Sequence, residues 1–285
     1  MKTSTRRQWR ARIWRRKWRV IGVITLVLVV AYSGVHAAVS LSSSDTDQFV
    51  TLPDGSHLAY RVVNASVSSD HHRQRVIFVH GAPADATSWR RLLESHGHEL
   101  HDVEVVVVDR LGYGNSSPAT VANLETQAAS LEPLITPGAI LVGHSYGGPV
   151  VLLAAAKYSE QIAGIVIAAG ACDPYMDDSQ WLRRAIDAAA PVIPQAWSAA
   201  NLELLALTDD NQSMISRLDE VRCRVAVLHG TWDPVCPHDG TTNFLRDSLS
   251  GATAIRVESL PRSGHNVHLS HPDKIVELIS WIGDD

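Results

Sequence analysis

Residues 139–150 read Ala-Ile-Leu-Val-Gly-His-Ser-Tyr-Gly-Gly-Pro-Val, and this stretch decides the fold. An apolar run ends in Gly143-His144-Ser145-Tyr146-Gly147, and a helix-compatible run follows at once. The pattern G-x-S-x-G between a strand and a helix is typical of a nucleophilic serine on a sharp turn. Glycine two residues to either side lets neighbouring backbone approach without Cβ clashes. The alternative is an ordinary glycine-rich turn; the flanking strand and helix favour Ser145 as a nucleophile.

Short runs rich in valine and isoleucine alternate with helical patterns along the chain. The predicted strands are 48–52, 57–63, 75–79, 103–108, 139–142, 162–168, 224–228 and 253–257, and the predicted helices are 88–94, 123–134, 148–158, 242–249 and 273–281. Several strands are apolar throughout, as in parallel sheets that are buried on both faces. The alternation predicts an α/β fold with a doubly wound, mostly parallel sheet that starts with a hairpin. Residues 173–221 lack any strand pattern and predict a short helical cap inserted over the end of the sheet.

A serine hydroxyl is a weak nucleophile and needs a base within hydrogen-bond reach. Among fourteen histidines, His265 is the candidate because it lies just past the last predicted strand. His268 and His271 recur at a spacing of three, which could suggest a metal site. No cysteine or carboxylate lies nearby at a compatible spacing, so we expect no metal. The side chain of His144 should leave the turn in a different direction from the nucleophile.

The base needs an acid that fixes its tautomer and stabilises the imidazolium. Asp233 follows the strand 224–228 and lies between Ser145 and His265 along the chain. The order Ser, Asp, His is the one found in serine hydrolases with a nucleophile elbow. Asp239 is a weaker alternative and is expected to be an acid in the first turn of a helix.

Hydrolysis through a tetrahedral intermediate also needs two backbone N–H donors for the oxyanion. One should be the amide of Tyr146, at the start of the helix after Ser145. The other should come from the loop after the third strand, His80-Gly81-Ala82-Pro83, and we assign the amide of Ala82. This chemistry requires no cofactor.

Four motifs give the chain a specific resemblance. They are His80-Gly81-Ala82-Pro83, the stretch 109–116 (Asp-Arg-Leu-Gly-Tyr-Gly-Asn-Ser), Gly143 to Gly148, and 230–237 with Asp233, followed by Ser263-Gly264-His265. Over about residues 48–283 the chain resembles the α/β-hydrolase superfamily in its H-G-x-P form. A serine at the nucleophile position differs from the aspartate of the dehalogenase and epoxide-hydrolase branches. In this family the stretch 109–116 is a structural loop, and it receives no catalytic role.

The resemblance and the triad together predict hydrolysis of a carboxylic ester, or a related acyl bond, through an acyl-enzyme. Alternatives are C–C, thioester or amide hydrolysis, cofactor-free perhydrolysis, and a non-catalytic hydrolase-like binding protein. The predicted cap 173–221 is rich in apolar residues, which suggests a partly apolar small-molecule acyl substrate. These residues are Trp181, Pro191, Val192, Ile193, Pro194, Trp197, Leu202, Leu204, Leu205 and Leu207. The alternative is that they only pack the cap onto the core.

The N-terminus predicts a membrane protein. Residues 1–19 contain nine basic side chains and no acid, and residues 20–39 are uncharged and largely apolar. This pattern predicts a single-pass signal anchor with a cytoplasmic N-terminus, a linker at 40–47 and a hydrolase domain at 48–285 on the periplasmic or extracellular side. A cleaved signal peptide is the alternative. The rest of the chain is acidic, with 16 basic and 30 acidic residues, which excludes a nucleic-acid-binding surface.

Three cysteines are too few for a disulfide scaffold. Cys172 and Cys236 follow two strands that should be parallel neighbours, so in an oxidising compartment they could bridge. Cys223 lies at the opposite end of its strand. The alternative is three unpaired thiols packed as small apolar residues.

Overall fold

The computed structural model describes residues 47–63, 73–176 and 194–284. Its strands are β1 (Gln48–Thr51), β2 (His57–Val62), β3 (Arg75–Val79), β4 (Glu104–Asp109), β5 (Ala139–His144), β6 (Ile162–Ala168), β7 (Arg224–Gly230) and β8 (Ala254–Leu260). They form one eight-stranded sheet in the order β1-β2-β4-β3-β5-β6-β7-β8. The pairs β1–β2 and β2–β4 are antiparallel, and the other pairs are parallel. The predicted hairpin and mostly parallel sheet are therefore confirmed.

Helices connect the parallel strands. The α-helices of the described residues are α1 (Arg90–His96), α2 (Leu124–Ala129), α3 (Gly147–Lys157), α4 (Gln195–Met214), α5 (His238–Ser248), α6 (Val267–Ser270) and α7 (Pro272–Gly283). The single helix predicted at 123–134 is wrong: α2 ends at Ala129 and a separate 3₁₀ turn follows at Glu132–Leu134. Pro133 explains the break, because it has no amide to donate to the Ala129 carbonyl and its ring would clash with that carbonyl in an α-helix.

The sheet is covered on both faces, because successive strand residues point to opposite sides. In β3, Ile77 and Val79 join the core that contains α3, whereas Val76 and Phe78 join the core that contains α7. All four side chains are fully buried. The doubly wound arrangement is confirmed, and it leaves the carboxyl ends of the parallel strands at one edge.

The predicted cap, 173–221, contains α4 and a 3₁₀ turn at Ile215–Glu220 within its described part. Leu207 is buried in the core, and Leu204 is partly buried and packs against the same core. For these two residues, packing of the cap onto the core is confirmed. Trp181 and residues 191–193 lie outside the described residues.

The predicted anchor, 20–39, also lies outside the described residues. Within the part of the chain that the structure describes, no helix combines the length and apolar character needed to cross a bilayer.

All three cysteines are buried, and Cys172 and Cys223 are free thiols. Strands β6 and β7 are parallel neighbours, as expected. No disulfide joins Cys172 to Cys236 in the structure.

Candidate active site

Ser145 lies on a strained turn between β5 and α3. Its φ of +52° is in the left-handed region that side chains rarely adopt. The Ser145 amide donates to the Ala168 carbonyl at 3.1 Å, which ties the turn to the end of β6. A Cβ added at Gly143 would lie 2.2 Å from the carbonyl oxygen of Gly147, so the turn has no room for a side chain there. The sequence pattern therefore corresponds to a real steric requirement.

Three side chains from the ends of different strands form one hydrogen-bonded chain. His265 Nε2 lies 2.9 Å from Ser145 Oγ, and His265 Nδ1 lies 2.7 Å from Asp233 Oδ2. The other carboxylate oxygen, Asp233 Oδ1, accepts from the amides of Val235 at 2.8 Å and Cys236 at 2.9 Å. Ser145 and Asp233 are buried, while His265 is partly exposed. The structure thus brings together the three residues that the sequence singled out.

Asp239, the weaker alternative acid, is located elsewhere. It lies in the first turn of α5, and its side chain is exposed. Its carboxylate pairs with His238 Nδ1 at 2.7 Å. This is the helix-terminal position expected for it.

Sequence reasoning missed His229, which also contacts the candidate acid. His229 Nε2 lies 3.3 Å from Asp233 Oδ2 and 2.9 Å from the Cys236 carbonyl, and the ring is fully buried. Burial alone raises the pKa of Asp233, but hydrogen bonds from His229 and His265 outweigh it and hold that pKa well below its usual range. The available signal was a histidine directly after the apolar run 225–228 of its strand, four residues before the acid.

The ring of His144 lies beside the base, with its centroid 5.1 Å from that of His265. Its Nε2 lies 3.2 Å from the His265 carbonyl oxygen, and its ring centroid lies 3.8 Å from that of His268. Burial is the main cause that lowers the pKa of His144 well below its usual value, and the neighbouring histidines lower it further. Burial and His265 lower the pKa of His268 to about 3. Both rings are therefore neutral at neutral pH. No metal-binding group of three His, Cys, Asp or Glu side chains occurs among the described residues.

The loop expected to supply an oxyanion donor lies against the nucleophile. A Cβ added at Gly81 would lie 2.8 Å from Ser145 Cβ, so only glycine allows this approach. Ala82 follows directly, and Tyr146 immediately precedes α3. The residues assigned as amide donors thus flank the turn that holds Ser145.

A buried ion pair behind this loop was not predicted. Arg110 Nη1 lies 2.5 Å from Glu203 Oε1, and both side chains are 1% exposed. The Tyr113 hydroxyl donates to Glu203 Oε2 at 2.7 Å. Burial alone lowers the pKa of Arg110, but Glu203 outweighs it and raises that pKa. Asp109 is also buried and accepts from the amides of Ala86 and Asn115, consistent with a structural loop.

Comparison with known proteins gives the family. The sequence model of the Alpha/beta hydrolase family matches residues 76–278. A lipase of Mycobacterium tuberculosis, LipV, is 33% identical over 119 residues, which are 40% of this chain and 42% of the lipase. The 2-succinyl-6-hydroxy-2,4-cyclohexadiene-1-carboxylate synthase of Shigella flexneri is 22% identical over 240 residues, which are 73% of this chain and 92% of the synthase. An esterase from Exiguobacterium antarcticum has the same fold, with a TM-score of 0.65, 19% identity, and coverage of 84% of this chain and 100% of the esterase. The chain is an enzyme that belongs to the alpha/beta hydrolase family.

Proposed function

We propose that the protein is a serine hydrolase that cleaves a carboxylic ester, or a related acyl bond, through an acyl-enzyme. The observation that supports this most directly is the continuous hydrogen-bonded chain from Ser145 Oγ through His265 to Asp233. In acylation, Ser145 Oγ bonds to the substrate carbonyl carbon while His265 Nε2 takes the hydroxyl proton. The carbonyl π pair becomes an oxyanion, and Asp233 stabilises the imidazolium through Nδ1–H. When the tetrahedral intermediate collapses, His265 gives the proton to the leaving alcohol.

Deacylation repeats these steps with water. His265 Nε2 removes a proton from the water, whose oxygen bonds to the acyl carbon. Collapse then breaks the bond to Ser145 Oγ, which recovers its proton from His265 and releases the acid. In both halves the amides of Ala82 and Tyr146 hold the oxyanion. A single donor of this kind contributes about 10²- to 10³-fold to the rate.

We also propose a partly apolar acyl substrate. Support comes from the exposed rings of Tyr175, at the start of the predicted cap, and Trp232, which directly precedes Asp233. A panel of short- and long-chain acyl esters, thioesters and amides identifies the bond and the chain length. Preference for a thioester or an amide, or cleavage of a C–C bond, would replace the ester assignment while keeping the triad.

The decisive test of the triad is labelling with a fluorophosphonate probe combined with ester turnover. Ser145→Ala should abolish labelling, and both Ser145→Ala and His265→Ala should lower kcat by about 10⁴-fold or more. His268→Ala is the matched control. It removes a nearby histidine whose ring packs against His144 and Trp89 and has no assigned catalytic role. It should keep kcat within about tenfold in protein that is folded by circular dichroism. Inactivation by His268→Ala alone would identify a different base.

For localisation we propose that residues 20–39 anchor the enzyme and that the hydrolase domain is exported. The support is the charge pattern of the sequence, with nine basic residues before a single uncharged stretch. Protease added outside intact cells, or to spheroplasts where an outer membrane is present, should digest the domain and spare the N-terminus. Full protection of the domain would reverse this topology. A soluble form that starts near Ala38 would show cleavage instead of anchoring.

A further inference from the structure

Two side chains, those of His80 and Arg110, hold the carbonyl oxygen of Gly81. His80 Nδ1 lies 2.6 Å from Gly81 O, and Arg110 Nη2 lies 3.3 Å from the same oxygen. Arg110 Nε also donates to the His80 carbonyl at 3.0 Å. One guanidinium therefore bonds two successive carbonyls of the loop beside the nucleophile.

The tautomer of His80 follows from its neighbours. The Arg110 amide donates to His80 Nε2 at 2.9 Å, so this nitrogen is an acceptor and the proton lies on Nδ1. Burial and the charge of Arg110 lower the pKa of His80 well below its usual value, which keeps the ring neutral. His80 Nδ1–H is thus a fixed donor to Gly81 O.

Peptide geometry transmits this restraint to the next amide. The Gly81 carbonyl and the Ala82 N–H belong to one planar peptide unit and point in opposite directions in the trans form. Cis geometry among the described residues occurs at Ala82–Pro83 and not at this peptide. Anchoring Gly81 O near Arg110 therefore directs the Ala82 N–H away from Arg110, and it also polarises the N–H as a donor.

Glu203 holds Arg110 in this position. Arg110 Nη1 and Nη2 lie 2.5 Å and 3.1 Å from the two oxygens of Glu203, which lies on α4 in the predicted cap. The guanidinium also lies 4.6 Å from the ring centroid of Tyr146, the residue assigned as the second amide donor. Buried ion pairs are often no more stabilising than apolar side chains of similar volume. The pair therefore calls for an explanation other than stability.

We propose that Arg110, held by Glu203, is a positioning residue that fixes the Gly81–Ala82 peptide with the Ala82 N–H directed at the reacting carbonyl. The proposal rests on the proposed serine-hydrolase function and assigns a role to Arg110, in the stretch 109–116. It also makes the predicted cap part of the catalytic framework, because α4 supplies the carboxylate.

The test replaces the whole buried pair, since removal of one charge would leave the other unpaired and could unfold the protein. In the triple variant Arg110→Met, Glu203→Leu, Tyr113→Phe, no charge or hydroxyl of this group remains. We expect kcat for the best ester to fall by about 10- to 100-fold, while KM changes by less than about threefold. The inhibition constant of a trifluoromethyl ketone analogue should rise by a factor similar to the fall in kcat/KM. This inhibitor bonds to Ser145 Oγ, and its carbonyl oxygen becomes an oxyanion, so it reports on the amide donors directly.

Asp210→Ala is the matched control. Asp210 lies on the same helix, α4, and accepts from the Leu124 amide at 3.0 Å. This variant should leave kcat and the inhibition constant unchanged. A folded triple variant with kcat within about twofold of the parent, or an equal loss in Asp210→Ala, overturns the positioning role. A parent protein that hydrolyses no acyl compound and does not react with a fluorophosphonate overturns the proposed function as well.

Discussion

Replacement of Asp233 by asparagine should inactivate the enzyme by reversing the tautomer of the base. Asp233 Oδ1 accepts two backbone amides, from Val235 and Cys236, and only an oxygen can take this place. The amide oxygen of the new asparagine should therefore occupy the Oδ1 site, and its NH₂ group should occupy the Oδ2 site. There it faces His265 Nδ1, which lies 2.7 Å from Oδ2 in the parent.

An NH₂ group is a donor, so His265 Nδ1 must become the acceptor and the ring proton moves to Nε2. A protonated Nε2 cannot take the proton of Ser145. We expect kcat to fall by about 10⁴-fold at neutral pH, which is the loss typical of a triad that holds the wrong tautomer. Both backbone hydrogen bonds survive the change, so the fold should be kept. The free energy of unfolding should fall, because the ionised carboxylate no longer accepts from His229 and His265.

Ester turnover measures the loss, and urea unfolding checks the fold. Asp239→Asn is the matched control, since Asp239 is an exposed carboxylate in the first turn of the next helix. It should retain parental kcat. A loss of less than about tenfold in folded Asp233→Asn would refute the tautomer argument and the assignment of the acid.

Three further outcomes follow from burial and close packing. Burial lowers the pKa of His80, His144 and His268, the last to about 3, so the unfolded chain binds more protons below pH 6.5 and stability should fall as the pH drops. In that range each histidine adds about 1.4 kcal/mol per pH unit to the slope of the free energy of unfolding against pH. His268→Phe should remove one such contribution, as measured by urea unfolding at pH 4–6. An unchanged slope would contradict this. The three buried cysteines should resist a thiol reagent in the native protein, and three thiols should react after denaturation; recovery of only one would reveal a disulfide. Gly147→Ala should disrupt the nucleophile turn, because the new Cβ would lie 2.4 Å from the Val79 carbonyl oxygen; a soluble variant with parental turnover would show that the backbone can relax there.

The sheet and the nucleophile turn were predictable because their signals are local. A strand needs only a short apolar run, and the turn at Ser145 needs glycines at fixed spacing. Asp233 and His265 were also recognisable, since each follows a strand whose carboxyl end lies at the same edge of the sheet. The break after Ala129 was missed, although Pro133 was visible in the sequence.

The groups that support the site were not predictable from spacing. Arg110 and Glu203 are 93 residues apart and meet only because α4 folds back over the sheet. In the sequence each is one charged residue among many. His229 was visible at the end of a strand, but its contact with Asp233 depends on the path of the loop between them.

The neutral histidines beside the base have a catalytic consequence that follows from distance. His265 becomes positively charged when it takes the proton of Ser145, and the ring centroid of His144 lies 5.1 Å from that of His265. A second positive charge at that separation would oppose the proton transfer by about 3 kcal/mol at an effective dielectric constant near 20. Burial keeps His144 neutral, so this repulsion is absent at neutral pH. The negative charge of Asp233 then stabilises the imidazolium of His265, and no positive charge on His144 repels it. Packing that looks purely structural thus determines which charges the reacting proton meets.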